Sequence, residues 1–184
     1  NELPRMLHAT LRATNLAESA PGHPVAEAIR AEGYAAAALV ASAIGAEPIA
    51  SAYRERALAT GDALGDPSVR GQVRLLLALH SLGIGACRRA HEEAGRAREL
   101  FVEASQRRRY EIARGTEGWA LLVLGRYDEA LQVWNDVRSS AMQRGDRQSL
   151  AIAHAGMAEA LLSRGREGDV ARARTALASA LEHL

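Results

Sequence analysis

Glycines stand at 45, 85, 125 and 165, each 40 residues after the last. A helix commonly stops at Gly, because Gly takes φ > 0 without a Cβ clash. The stretch Leu124-Gly125-Arg126-Tyr127-Asp128-Glu129-Ala130 shows the local logic. One helix ends, the chain turns, and the next helix opens with two acids that complement its dipole. A fixed period of this size marks a helical-repeat chain, in which each unit buries its apolar faces against its neighbours.

Stacking the periods in register tests that reading. Seven residues before each turn glycine stand Ala38, Ala78, Gly118 and Ala158. Five residues after it come Ala50, Ala90, Ala130 and Val170, and twelve after it Ala57, Ala97, Val137 and Leu177. Ala17 falls in the last of these registers one period earlier. Small residues at matched sites let paired helices cross closely. The chain therefore reads as all-α: an α-solenoid of about four antiparallel helix pairs after one leading helix. The segments are 1–19 for the leading helix, then 25–63, 67–104, 109–144 and 147–184 for the repeats. Pro21-Gly22-His23-Pro24 breaks the first helix, and Pro48 suits a first turn, where its missing N–H costs nothing. Gly65-Asp66 and Gly145-Asp146 separate repeats, with Asp placed to cap the next helix. Leu7, Leu11 and Ala17 are expected to form the apolar stripe of the first helix. In the last, taken as 166–183, Val170, Ala173, Leu177, Ala180, Leu181 and Leu184 form one that a solenoid end would normally cap with polar groups.

Composition narrows the function classes. All 23 basic residues are Arg, which removes a P-loop lysine, a Schiff-base lysine and a Ser–Lys dyad. The 22 acids leave a net charge of +1, so neither nucleic acid nor an anionic membrane is an expected partner. A single cysteine forms no internal disulfide, and no apolar run reaches the roughly 20 residues of a membrane span. A cytoplasmic location follows as the default, and a chain opening on Asn is expected to be a segment of something longer.

The repeat resembles the tetratricopeptide (TPR) family. Gly118, Gly125, Tyr127 and Ala130 carry the match, with Val137 where the family has a second alanine. The 40-residue period exceeds the family's usual 34, and Tyr34, Arg74, Arg114 and His154 stand where the family has an early Trp. Long repeats with Gly-Asp junctions look most like the TPR segments of large bacterial signalling and regulatory proteins. The resemblance implies ligand binding on a concave face lined by the first helix of each pair. By register that face comprises Glu32, Ala35, Leu39, Ser42, Gln72, Leu75, Leu79, Leu82, Ile112, Gly115, Trp119, Leu122, Ile152, Ala155, Glu159 and Leu162. An exposed apolar row of this kind would mark a binding surface. The alternative is that the lengthened helices close over these residues and make them core. Trp134, on a second helix, reads as core filling between repeats.

Other candidates are weaker. Cys87 and His91 share a helix face at i,i+4, but no four-ligand metal spacing is evident, so no metal or cofactor is expected. Arg107-Arg108-Arg109 could clamp an acidic group or could be a solvated junction. No nucleophile-elbow, dinucleotide or phosphate-loop pattern is present. The expectation is a non-catalytic interaction or sensor module that binds a protein, a peptide or an adjacent domain. The rivals are a small-molecule regulatory domain with a closed apolar pocket and a structural spacer. Pairing of two copies through the C-terminal helix is a further expectation.

Overall fold

The computed structural model describes the backbone of residues 3–183 and the side chains of residues 8–183. Among these residues there are nine helices and no strand. They are α1 (Leu3–Glu18), α2 (Pro24–Ala43), α3 (Glu47–Leu64), α4 (Pro67–Gly83), α5 (Cys87–Glu103), α6 (Arg107–Val123), α7 (Tyr127–Arg144), α8 (Arg147–Arg164) and α9 (Asp169–Glu182). Leu7 and Leu184, expected in the terminal stripes, lie outside the residues whose side chains are described.

The turns follow the period. Gly45, Gly85, Gly125 and Gly165 have φ of 77°, 76°, 74° and 66°. Following the first three, the next N–H reaches back five residues to a carbonyl: Ala46 to Ala41, Ala86 to Ser81, Arg126 to Leu121. These bonds close Schellman motifs that satisfy carbonyls the helix leaves free. A second set of left-handed positions lies between pairs at Gly65, Ser105 and Gly145, again 40 apart. Ser105, at φ 56°, is the one described non-glycine in this region. Asp66 and Asp146 cap α4 and α8, accepting from the N–H of Ser68 at 2.7 Å and of Ser149 at 3.0 Å. At the middle junction α6 begins at Arg107, two residues before the expected repeat start.

Each helix packs on the next, and α2, α4, α6 and α8 also pack on one another in series. Among the described residues no two of α1, α3, α5, α7 and α9 touch. A stack closed along one row and open along the other curves toward the closed row. The result is a solenoid-like all-α arrangement with α2, α4, α6 and α8 inside.

Close approach depends on the small columns. Ala38, Ala78 and Ala158 are at most 1% exposed, Gly118 is buried, and Ala50, Ala57, Ala90, Ala97 and Ala130 are fully buried. Trp134 of α7 is also fully buried and occupies a slot cut by glycines from two inner helices. A Cβ at Gly118 or Gly115 of α6 would stand 2.8 or 3.2 Å from its ring, and one at Gly156 of α8 only 2.3 Å away. Trp119 meets the same indole edge-on at 5.1 Å. Phe101 of α5 sits against Gly71 of α4 in the same way.

The last helix departs from the expected register. The stretch Arg166-Glu167-Gly168 precedes α9, so α9 starts at Asp169 and buries Ala173, Ala176 and Ala180. Val170, Leu177 and Leu181, expected in the buried columns or stripe, are instead 62%, 44% and 72% exposed. Asp169 causes the slip: Arg164 grips its carboxylate through two hydrogen bonds, and the Arg166 N–H adds a third. The Arg164 guanidinium, assisted by that N–H, holds the Asp169 carboxyl at about 2 against the opposing effect of burial. At the other end Leu11 is 45% exposed, while Thr14 and Ala17 face α2.

Gly156→Ala is expected to destabilise the fold by about 1–3 kcal/mol, because overpacking against a rigid indole outweighs the ~1 kcal/mol helix gain. Gly95→Ala, whose Cβ would meet nothing closer than 4.0 Å, should be neutral or stabilising in the same denaturant titration. Ser105→Gly should stabilise by up to about 1 kcal/mol by releasing left-handed strain, read as a higher urea midpoint.

Candidate functional site

The inner helices repeat their face at three- and four-residue steps, and the series of contacts among them aligns these faces into one surface. Leu79 of α4, Trp119 of α6 and Glu159 of α8 occupy the same register on touching helices, and Ile112 and Ile152 form the next level. Leu79 is 38% exposed, Ile112 47%, Ile152 46% and Leu162 52%. Glu159 is exposed, while Glu32, Leu39, Gln72, Leu82 and Trp119 are half-buried. Ala35, Leu75, Gly115 and Leu122 are buried, so these four hold the inner row together and present nothing to a ligand. The surface is thus largely open.

Val123, 68% exposed and four residues after Trp119, extends the apolar row. Register hid it, because Gly83 is its counterpart one period earlier. Trp119 is anchored: its edge-on contact with Trp134 fixes the ring while part of it stays accessible. Polar groups line the end of the surface where the inner helices begin. Arg109 of α6 donates to the Ser68 hydroxyl of α4 at 3.3 Å, and Gln106 donates to the same oxygen at 2.6 Å. Arg108 reaches Gln148 of α8 at 3.5 Å. Burial pushes the Glu32 carboxyl up, and the Arg109 charge opposes that rise. The Arg107–Arg109 cluster is therefore tied to uncharged side chains, with Arg107 on Ser140 and Gln143.

The other candidates separate. Cys87 is buried and free, whereas His91 lies 3.8 Å from Glu117, which Arg114 also grips at 2.6 Å. Among the described residues no three of His, Cys, Asp or Glu are grouped so as to hold a metal ion. Glu111 is buried beneath Arg144, which donates to both its oxygens and ties α6 to α7. Arg74 joins α4 to α5 through Glu93 at 2.9 Å, and Arg114 joins α6 to α7 through Asp136 at 2.7 Å. Arg74 and Arg114, one period apart, thus serve as cross-helix clamps. Among the described residues no helix is long and apolar enough to cross a membrane. Comparison with models of protein families, with curated proteins and with solved structures finds no match to this chain.

His80, the one other histidine near Cys87 and His91 and placed across the Gly85 turn from them, is 1% exposed on α4 with neither ring nitrogen hydrogen-bonded. Burial lowers its pKa first of all; Arg89 and Arg54 add to the lowering and Glu47 opposes it. Burial likewise lowers the pKa of His154, which stacks on His183 at 5.9 Å. Both rings stay neutral in the fold at a pH where the unfolded chain, titrating near 6.5, already binds protons. Stability is therefore fully present above that value and falls as the pH drops through it, until the folded-state pKa is passed. His80→Leu should flatten this loss between about pH 7 and 5, leaving the His154 share, as read from Tm against pH.

Proposed function

We propose that the chain is a TPR-like, non-catalytic interaction module of a larger bacterial signalling or regulatory protein, working in the cytoplasm. It binds a protein or peptide partner, or a neighbouring domain, on the surface formed by α2, α4, α6 and α8. The observation that carries this reading is the exposed apolar row of Leu79, Ile112, Val123, Ile152 and Leu162 beside the anchored Trp119. Clustered apolar side chains left in water along one continuous surface favour a partner that covers them. A rigid aromatic near the centre is a common source of binding energy.

The openness of the surface supports a peptide or helix over a small molecule in a closed pocket. Polar side chains at one end, among them Glu32, Gln72, Arg108 and Arg109, would set the direction in which a segment lies. Nucleic acid is disfavoured by the absence of a basic excess, since the 23 arginines face 22 acids. The exposed row on α9 gives the expected pairing of two copies a surface, of Val170, Leu177 and Leu181.

Peptides selected from a random display library against the folded chain test the reading. A Leu79→Glu, Ile112→Glu double variant should lose at least tenfold in affinity by calorimetry, with unchanged far-UV circular dichroism. Both side chains are exposed, so the fold should tolerate the exchange. Undiminished binding to a folded double variant would exclude the inner face.

A further inference from the structure

The outer side of the stack holds a second feature. Because α5 and α7 do not touch, a cleft of about 650 Å³ opens between them, floored by Phe101 and walled by Val102, Tyr110, Asp136 and Gln143. That volume falls within the ~300–1,000 Å³ range of small-molecule sites. Ser105, Ser139 and Ser140 also line it.

Apart from Asp136, each of its polar side chains can donate, the hydroxyls and the amide accepting as well. Among the described residues, no hydrogen bond engages the hydroxyls of Ser105, Tyr110 or Ser139, and Ser140 only accepts, from Arg107 Nε at 2.9 Å. Arg107 spends one further N–H on Gln143 at 2.9 Å, leaving the rest of its fork free. Asp136, the one acid in the lining, is occupied by Arg114 at 2.7 Å. Arg107 is the first residue of α6, and Gln106 makes no side-chain cap, so the helix dipole adds positive potential at the same edge.

The repeat also breaks its own rule here. The junctions at 65 and 145 carry Gly in the left-handed region, and the one beside this cleft carries Ser at φ 56°. A strained non-glycine persists where its side chain is worth keeping. Here the hydroxyl faces the cleft. One period earlier Gly65 and Glu99 stand where Ser105 and Ser139 stand here, and one period later Gly145 and Ala180 replace Ser105 and Ser140, so neither neighbouring junction repeats the full set.

We propose that this outer cleft binds a small oxyanion, a phosphate monoester or a carboxylate, borne on an apolar body. The head group meets Arg107 and the serine hydroxyls, and the body lies over Val102 and Tyr110. The site is separate from the inner face and stands or falls without it.

The test is an amide NMR titration of the full chain with phenyl phosphate, benzoate and inorganic phosphate. Saturable shifts confined to 101–110 and 136–143 are expected with phenyl phosphate or benzoate, and the tighter of the two names the head group. Arg107→Gln and Ser139→Ala should each weaken binding, the first at least tenfold, with Arg174→Gln unchanged. Ser139 has no partner in the fold, so its variant keeps the test valid should Arg107→Gln unfold. Ser105→Gly should bind more weakly while melting higher. Absence of saturable shifts with all three probes, shifts elsewhere, or affinity indifferent to both Arg107 and Ser139 would overturn the site. Inorganic phosphate binding as tightly as either aromatic probe would overturn the role of the apolar wall.

Discussion

The seating of the Trp134 indole among Gly115, Gly118 and Gly156 is the contact on which the centre of the molecule depends. One buried side chain from the outer row touches two inner helices at once. It does so only because three inner-helix positions lack a Cβ. The same indole supports Trp119 edge-on, so the packing that joins two repeats also orients the aromatic on the inner face. Core and candidate surface are therefore coupled: a change that displaces Trp134 would tilt Trp119 as well.

Charge serves the stack in a different way. An arginine-only basic set offers planar forks suited to gripping carboxylates through two bonds. The fold grips Glu111 and Asp169 this way across helix boundaries, while Glu93 takes both bonds from one nitrogen of Arg74 and Asp136 a single bond from Arg114. Exposed pairs of this kind contribute little each. The buried ones, at Glu111 and Asp169, are costly to break, because removing one partner leaves an unpaired buried charge. They set which turn of one helix faces which turn of the next. With cations and acids so matched, little net field is left to attract a polyanion.

Much of the architecture was legible in the amino acids because the turns are chemical. Gly at a left-handed position and Asp at a helix cap each answer a local demand, and their spacing carried the period. Burial within the inner row was less legible: Ala35, Leu75, Gly115 and Leu122 share the register of exposed positions, and the crowding of neighbouring helices buries them. The slip at α9 was not legible. It follows from an ion pair between Arg164 and Asp169 across an inserted turn, and no periodicity announces a partner five residues away. Pattern reading weighed His80 only as a metal position, since the burial of a lone histidine carries no signal until its neighbours are placed.

Curvature links the two surfaces. Bringing α2, α4, α6 and α8 together requires small residues on their flanks, and that places the larger apolar side chains on the face turned toward the axis of the curve. The same curvature parts α5 from α7, and the side chains that rim the gap, Ser105, Asp136, Ser139 and Gln143, are exposed. In the gap at α5 and α7 the sequence places hydroxyls and a half-free guanidinium, where a purely structural gap would be served by bulk or by a salt bridge. One period earlier, at the positions of Val102 and Tyr110, Asp62 and Arg70 show that alternative, pairing at 3.1 Å. A solenoid of this kind thus offers an apolar inner surface by construction and polar outer clefts by local choice of side chain. The second is where one repeat can acquire a ligand without disturbing the register of the others.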